Sequence, residues 1–236
     1  MALPLLTARW SNLLHFTYAV DPRLLEPHVP EAVKLDVQDG RAFASIVAFD
    51  SLDTRAFGIP WPGYRNFPEL SLRFSIKHGE ERGVVFVRKY VPKALLAKLA
   101  RLLYNEPYVA APITSRAEDD GELVTYTLSI EVGGRTHVLS ATGSHPAFTK
   151  PSESREHDIK EHEWGFGRTR TGETSRYRVE HPVWATYQVQ STRVDADFSL
   201  LYGPEWSFLA SAAPELAVFA VGSAIKVFPP RGLESS

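Results

Sequence analysis

With 236 residues, no cysteine and a formal net charge of −2, the chain can build one sizeable core and has neither disulfides, thiol catalysis nor cysteine-bound metal. Charges of both signs are interspersed, so nothing electrostatic points to nucleic acid or an anionic membrane. The opening MALPLLTARWSNLLHF has no basic stretch before its apolar residues and is interrupted by Pro4 and Arg9, unlike a signal peptide; no later run approaches the ~20 apolar residues of a membrane helix. The expectation is a cytoplasmic protein, with residues 1–236 forming a single domain.

In chain order, DPRLLEPHVP predicts a short helix with Asp21 as its cap and Pro22 in its first turn. VKLDVQDGRAFASIVAF predicts a hairpin turning at Asp39-Gly40, a pair suited to the positive φ of a two-residue turn. PELSLRFSIKHGEERGVVFVRKYV predicts a second hairpin, turning around Gly79 to Gly83. A helix follows from Pro92, its apolar stripe formed by Leu95, Leu96, Leu99, Leu102 and Leu103. GELVTYTLSIEVGGRTHVLSATGS predicts a third hairpin, turning at Gly133-Gly134. The polar segment KPSESREHDIKEHEWGFGRTRTGETS reads as a loop or lid. SRYRVEH, VWATYQVQSTRV and AVFAVGSAIKVF complete the strands. Hairpin following hairpin predicts a mainly β, antiparallel protein with a few helices, not βαβ units.

Alternation along residues 69–77 puts Glu69, Ser71, Arg73, Ser75 and Lys77 on one face, and Leu70, Leu72, Phe74 and Ile76 on the other. Either the polar row faces water, or part of it lines a pocket where Glu69 and Arg73 meet a ligand. On the next strand the same rule groups Arg88 and Tyr90 with Phe86, and Lys89 with Val87 and Val91. His157 and His162 lie five apart in a charged segment and do not match H-E-x-x-H, so they read as surface histidines and no metal is expected. His137 and His145 read as structural. There is no G-x-S-x-G elbow, phosphate loop or dinucleotide fingerprint, and no cofactor is expected.

Lysine chemistry has one foothold. In RKYVPK, Arg88, Lys89 and Lys93 lie close together, and the first turn of a helix disfavours an ammonium. Lys93 reads either as a reactive amine or as the wet end of an amphipathic helix.

WSNLLHFTYAVDPRLLEPHVPEAVKLDVQDGRAFASIVAFD, FPELSLRF, RGVVFVRKYVPKALLAKLARLLYNEPY, EHEWGFGRTRTGETSRYRVEHPVW and LLYGPEWSFL together resemble the YqjF-like bacterial family, domain of unknown function 2071. The resemblance runs from about Trp10 to Phe228. That family looks like a branch of the acetoacetate decarboxylase-like superfamily, which implies an antiparallel β-cone or closed barrel around a central pocket. DPRLLEPHVPEAVKLD matches the decarboxylases' opening pattern, and Lys93 in VPKA matches the position of their imine-forming lysine. The second lysine, which helps lower the first one's pKa, is replaced by Ala94. Ser45 falls near their acidic partner, and Arg9 is the nearest match to a pocket arginine.

The first functional expectation is therefore a small-molecule-binding protein for an organic acid or another polar metabolite. Glu69 and Arg73 are its main pocket residues, joined by Arg9, Arg88, Tyr104 and Asn105, with Trp164 and Arg168 closing over the mouth. The alternative is a lyase or hydratase acting on a keto acid, with Lys93 forming an imine or Glu69 serving as acid/base. A third expectation is an interaction module without a ligand, such as a homo-oligomer joined through sheet faces.

Overall fold

A computed structural model describes residues 3–151, 154 and 160–233. Its strands are β1 (Leu6–Val20), β2 (Lys34–Leu35), β3 (Ala42–Ala56), β4 (Phe67–His78), β5 (Glu81–Val91), β6 (Tyr108–Ala110), β7 (Ile113–Asp119) and β8 (Leu123–Val132). They continue with β9 (Arg135–Phe148), β10 (Trp164–Arg168), β11 (Thr174–Glu180), β12 (Thr186–Asp195), β13 (Leu216–Val227) and β14 (Arg231–Gly232). The α-helices among the described residues are α1 (Pro22–Leu25), α2 (Ala94–Tyr104) and α3 (Phe198–Tyr202). None is long and apolar enough to cross a membrane.

The strands make one sheet in the order β14-β11-β10-β5-β4-β3-β1-β13-β12-β9-β8-β7. The ladder also turns back on itself: β11 pairs with β13 through Val179 and Val227, and through Glu180 and Lys226. The β4–β5 and β8–β9 hairpins form as the turn chemistry predicts. Gly133 and Gly134, both with positive φ, make the second of these turns. Asp39 and Gly40 also adopt positive φ, but the hairpin around them shrinks to a single bridge between Gln38 and Arg41. Its first arm leaves β3 and pairs with β4 instead, Lys34 lying opposite Lys77. The sheet is mixed and not purely antiparallel, because β6 and β10 both run parallel to β5.

The polar segment expected to be a loop contributes β10 and the start of β11 to this sheet. Its glycines explain how. A Cβ on Gly165 would stand 2.3 Å from the Tyr177 ring, and one on Gly83 would stand 2.6 Å from Phe166. Bare backbone lets these rings lie flat on the neighbouring strand, an approach no other residue permits.

Both faces of the β1–β3–β4 region are buried, which disposes of a sheet with one side in water. Leu70, Leu72, Phe74 and Ile76 pack with Phe16, Ile46 and Trp206 in the larger core. A second apolar cluster, including Leu13, Val47, Phe49, Val179 and Trp184, lies on the opposite side and walls a cavity. Strand bulges aim side chains at that cavity. Arg73 of β4 follows Leu72 directly, yet their partners on β5, Phe86 and Arg88, are two residues apart, leaving Val87 extra. Asn12 and Leu13 of β1 together oppose Phe49 alone, and Asn12 adopts φ +57°. Each extra residue reverses the alternation downstream of it. Trp10 and Leu13 thus reach the cavity from one strand, and Phe86 and Lys89 reach it from another.

Candidate functional site

The cavity has a volume of about 390 Å³, within the usual range for a small-molecule site. Its buried floor carries the polar groups. The Lys89 ammonium is 2.8 Å from Glu106 Oε2 and 3.7 Å from Glu69 Oε1. It also stands over the Phe86 ring at 3.7 Å and the Tyr108 ring at 4.7 Å. The Tyr177 hydroxyl donates to Glu106 Oε1 at 2.5 Å. Glu106 reaches this point because α2 ends on Asn105 in the left-handed conformation, φ +53°, which turns the chain back toward β5. Pro107 then accepts from the Lys89 backbone N–H at 3.0 Å, fixing the return.

Electrostatics divide these groups into distinct roles. Burial works against the Lys89 ammonium, but Glu106, together with Tyr108, Tyr177 and Glu69, outweighs it and holds the lysine well above its ordinary pKa. Burial pushes the Glu69 carboxyl up; Lys89 opposes that shift and Glu106 adds to it. Burial also lowers Arg73, but only to about 10, so its guanidinium stays charged at neutral pH. His15 is driven well below its usual pKa, by burial first and then by Arg73, His162, Lys160 and His181 around it. Its Nδ1 lies 3.5 Å from the Arg73 guanidinium, and its buried Nε2 has no hydrogen-bond partner among the described residues. A neutral imidazole beside a cation can turn an open lone pair or an N–H toward a ligand.

Lys160 also lines the cavity; it is buried, donates to the Trp184 carbonyl at 3.0 Å and pairs with Glu161. Glu161 also accepts from the Trp184 backbone N–H at 3.0 Å, and His181 stacks on the Trp184 ring at 4.0 Å.

The sequence-predicted residues distribute unevenly around this site. Glu69, Arg73, Tyr104 and Trp164 line the cavity. The Tyr104 ring lies 5.1 Å from that of Tyr177, tilted by 59°, and its buried hydroxyl has no hydrogen-bond partner among the described residues. Trp164 belongs to β10 and not to a lid, with the Arg176 guanidinium 4.7 Å from its ring. The other candidates stand outside. Lys93 caps α2 from the solvent side, donating to the Gly63 carbonyl with its ammonium 4.7 Å from the Tyr64 ring. Arg9 is exposed on the far side of the β1 bulge. Arg88 bonds the Leu201 carbonyl and Tyr90 in the main core. Asn105 and Arg168 are tied to backbone, the first donating to the Arg168 carbonyl at 2.8 Å and the second to that of Val29 at 2.7 Å.

Strand alternation misses Lys89, because the Val87 bulge puts it and Val91 on the face of Phe86 and off that of Val87. Alternation does not mark Glu106, Tyr177, His15 or Lys160 either; the signal the sequence carries for them is the glutamate directly after the N in LLYNEPY. His162 is buried against the cavity, not on the surface as its charged surroundings implied. His157 lies outside the described residues, among which no cluster of histidines and carboxylates is placed to hold a metal ion. His137 is structural: its Nδ1 accepts from the Asp197 backbone N–H at 3.0 Å.

Comparison with known proteins supplies the lineage. The profile of the DUF2071 family, described as an uncharacterized conserved protein, matches residues 7–224. The chain belongs to this family. The DUF2071 chain is 31% identical to the uncharacterized protein YqjF of Bacillus subtilis (strain 168) over 118 residues. That match covers 50% of this chain and 48% of YqjF, so the chain spans about half the length of the curated relative it matches.

Its fold is that of acetoacetate decarboxylase-like proteins. An acetoacetate decarboxylase-like enzyme from Sphingomonas wittichii RW1 superposes with a TM-score of 0.68 at 16% identity, covering 98% of this chain and 94% of the other. The enduracididine biosynthesis enzyme MppR complexed with pyruvate gives 0.65 at 14% identity, covering 98% and 91%. Acetoacetate decarboxylase from Legionella pneumophila gives 0.64 at 12% identity, covering 98% and 88%.

Proposed function

We propose that this DUF2071 protein binds a small organic acid in the cavity, with the acid's carboxylate on Arg73 and its adjoining polar atoms toward Glu69 and Lys89. The observation that carries this reading is the charge balance of the floor. Arg73, Lys89 and Lys160 line the cavity with Glu69 and Glu106, Lys160 is balanced by its ion pair with Glu161, and burial pushes Glu69 toward its neutral form. Each Glu69 protonation leaves one positive charge in excess in a place where water is scarce, and an incoming carboxylate balances it. Guanidinium is also the side chain best shaped for a two-point contact with a carboxylate. A fold neighbour whose complex holds pyruvate, a small keto acid, supports the same ligand class.

Calorimetric titration of the protein with small monocarboxylates and 2-oxo acids tests this reading. Binding is expected in the wild type and lost by at least about tenfold in Arg73→Gln, the scale of one charge-assisted contact. Equal affinity in both proteins contradicts it.

A second, catalytic reading is favoured by one observation, the buried amine of Lys89 on the cavity wall. Imine formation with a keto acid requires that amine to be neutral, and the two carboxylates beside it hold its proton instead. The binding reading therefore stands first. Borohydride reduction in the presence of pyruvate, followed by mass spectrometry, separates the two. An adduct that disappears in Lys89→Arg supports catalysis, and an unmodified protein supports binding.

A further inference from the structure

The floor and the rim of the cavity differ in chemistry. Glu69, Lys89 and Glu106 are 7%, 6% and 4% exposed, whereas Phe57, Trp61, Leu95 and Leu102 on the same cavity are 63%, 46%, 45% and 58% exposed. All the acids, bases and imidazoles that line the cavity are buried, except for half-buried Arg73. Between floor and rim the walls are apolar, with Leu13, Val47, Phe49, Val91 and Leu99 among them. The cavity thus grades from ionic to largely apolar along its depth.

Two elements form the rim, and each places an apolar side chain where local structure alone does not ask for one. The turn that follows β3 is closed by reciprocal bonds between Ala56 and Ile59 at 3.1 and 3.0 Å, with Phe57 at φ +52° and Gly58 at φ +76°. Asn, Asp or Gly ordinarily fills the first of these positions, and a bulky residue with positive φ is uncommon. Here it is a phenyl ring turned to solvent at the cavity mouth. Helix α2 repeats the pattern. An amphipathic helix ordinarily buries its apolar stripe against the core. In α2 only Ala97 is buried, while Leu95 and Leu102 stand exposed on the mouth.

A two- or three-carbon acid fills only the floor and leaves this rim wet. Granted the acid-binding reading above, we infer that the ligand is a carboxylate amphiphile: an acid whose apolar tail runs from Arg73 along the wall to Phe57, Trp61 and Leu102. The tail accounts for a graded cavity, which a compact polar metabolite does not need.

The test is calorimetric titration of the full chain with acetate, butanoate, hexanoate and octanoate, each below its aggregation concentration. Affinity is expected to rise about three- to fourfold per added methylene. Phe57→Ser and Leu102→Gln alter exposed side chains and are expected to keep the fold. Each is expected to weaken octanoate about fivefold while leaving butanoate unchanged. Affinity independent of chain length overturns the inference and leaves the acid-binding reading intact. Octanol binding as tightly as octanoate overturns the carboxylate contact, and with it both statements. No binding by any acid overturns the acid-binding reading itself.

Discussion

Lys93 lies four positions after Lys89, and the difference between them is solvation. Lys93 sits in water over a tyrosine ring, whereas Lys89 is sealed between two carboxylates and two aromatic rings. Removing one partner of a buried ion pair leaves the other charge uncompensated. Lys89→Met is accordingly expected to lose about 3–5 kcal/mol of stability in urea denaturation, while Lys93→Met is expected to lose well under about 1 kcal/mol. Similar losses from both would mean that Lys89 is wetter than its surroundings indicate.

Acid titration checks the other buried groups. The folded pKa of His15 lies below 6.5, so as pH falls through 6.5 the unfolded chain takes up a proton that the folded chain refuses, and stability drops. His15→Gln is expected to flatten that loss between pH 7 and pH 5. Glu69 runs the other way. Its folded pKa lies above 4.5, so its contribution to stability is complete below pH 4.5 and is lost as pH rises through the folded value. Glu69→Gln is expected to be at least as stable as the wild type at pH 7, with the advantage gone near pH 4. A variant markedly weaker at pH 7 would show that the ion pair with Lys89 outweighs burial.

At the scale of elements, the distinction between what a sequence shows and what it hides becomes physical. The alternation of β4 is unbroken through Glu69, Ser71 and Arg73, so their shared face is legible from residue spacing alone, and all three line the cavity. The turns at Gly133-Gly134 and Asp39-Gly40 are legible for the same reason, since backbone conformation there is a local property. Lys89 is hidden because β5 bulges at Val87, and a bulge is set by pairing with β4, not by β5's own sequence. Glu106 is hidden because its direction depends on one left-handed residue, Asn105. Tyr177 is hidden because it acts across a strand, over the bare backbone of Gly165. That contact yields a prediction: Gly165→Ala places a methyl group 2.3 Å from the Tyr177 ring and is expected to cost about 1–3 kcal/mol. The variant should also weaken acid binding by shifting Tyr177 off Glu106. Wild-type affinity in Gly165→Ala would show that the Tyr177–Glu106 bond has no part in shaping the floor.

For the molecule as a whole, the sheet is a partition. One side holds a dense apolar core around Phe16, Leu72 and Trp206; the other holds ionic groups at the bottom of an aromatic cavity. A chain selected for stability alone has no need of the second side, because buried ion pairs add little compared with well-packed apolar residues. Such clusters in a concave site are where ligand chemistry is concentrated. The family resemblance reached the acetoacetate decarboxylase-like fold from the sequence, and the structural neighbours share that fold. The lysine position matched from that resemblance, Lys93, lies outside the cavity, because a short motif match carries no information about the strand geometry beneath it. The measurement that tests the account most directly is a crystal structure of the protein grown with 2-oxobutanoate. The account predicts the carboxylate within hydrogen-bond distance of the Arg73 guanidinium and Lys89 Nζ unattached. A covalent bond from Lys89 to the keto carbon, or a floor without the acid while it sits elsewhere, would contradict it.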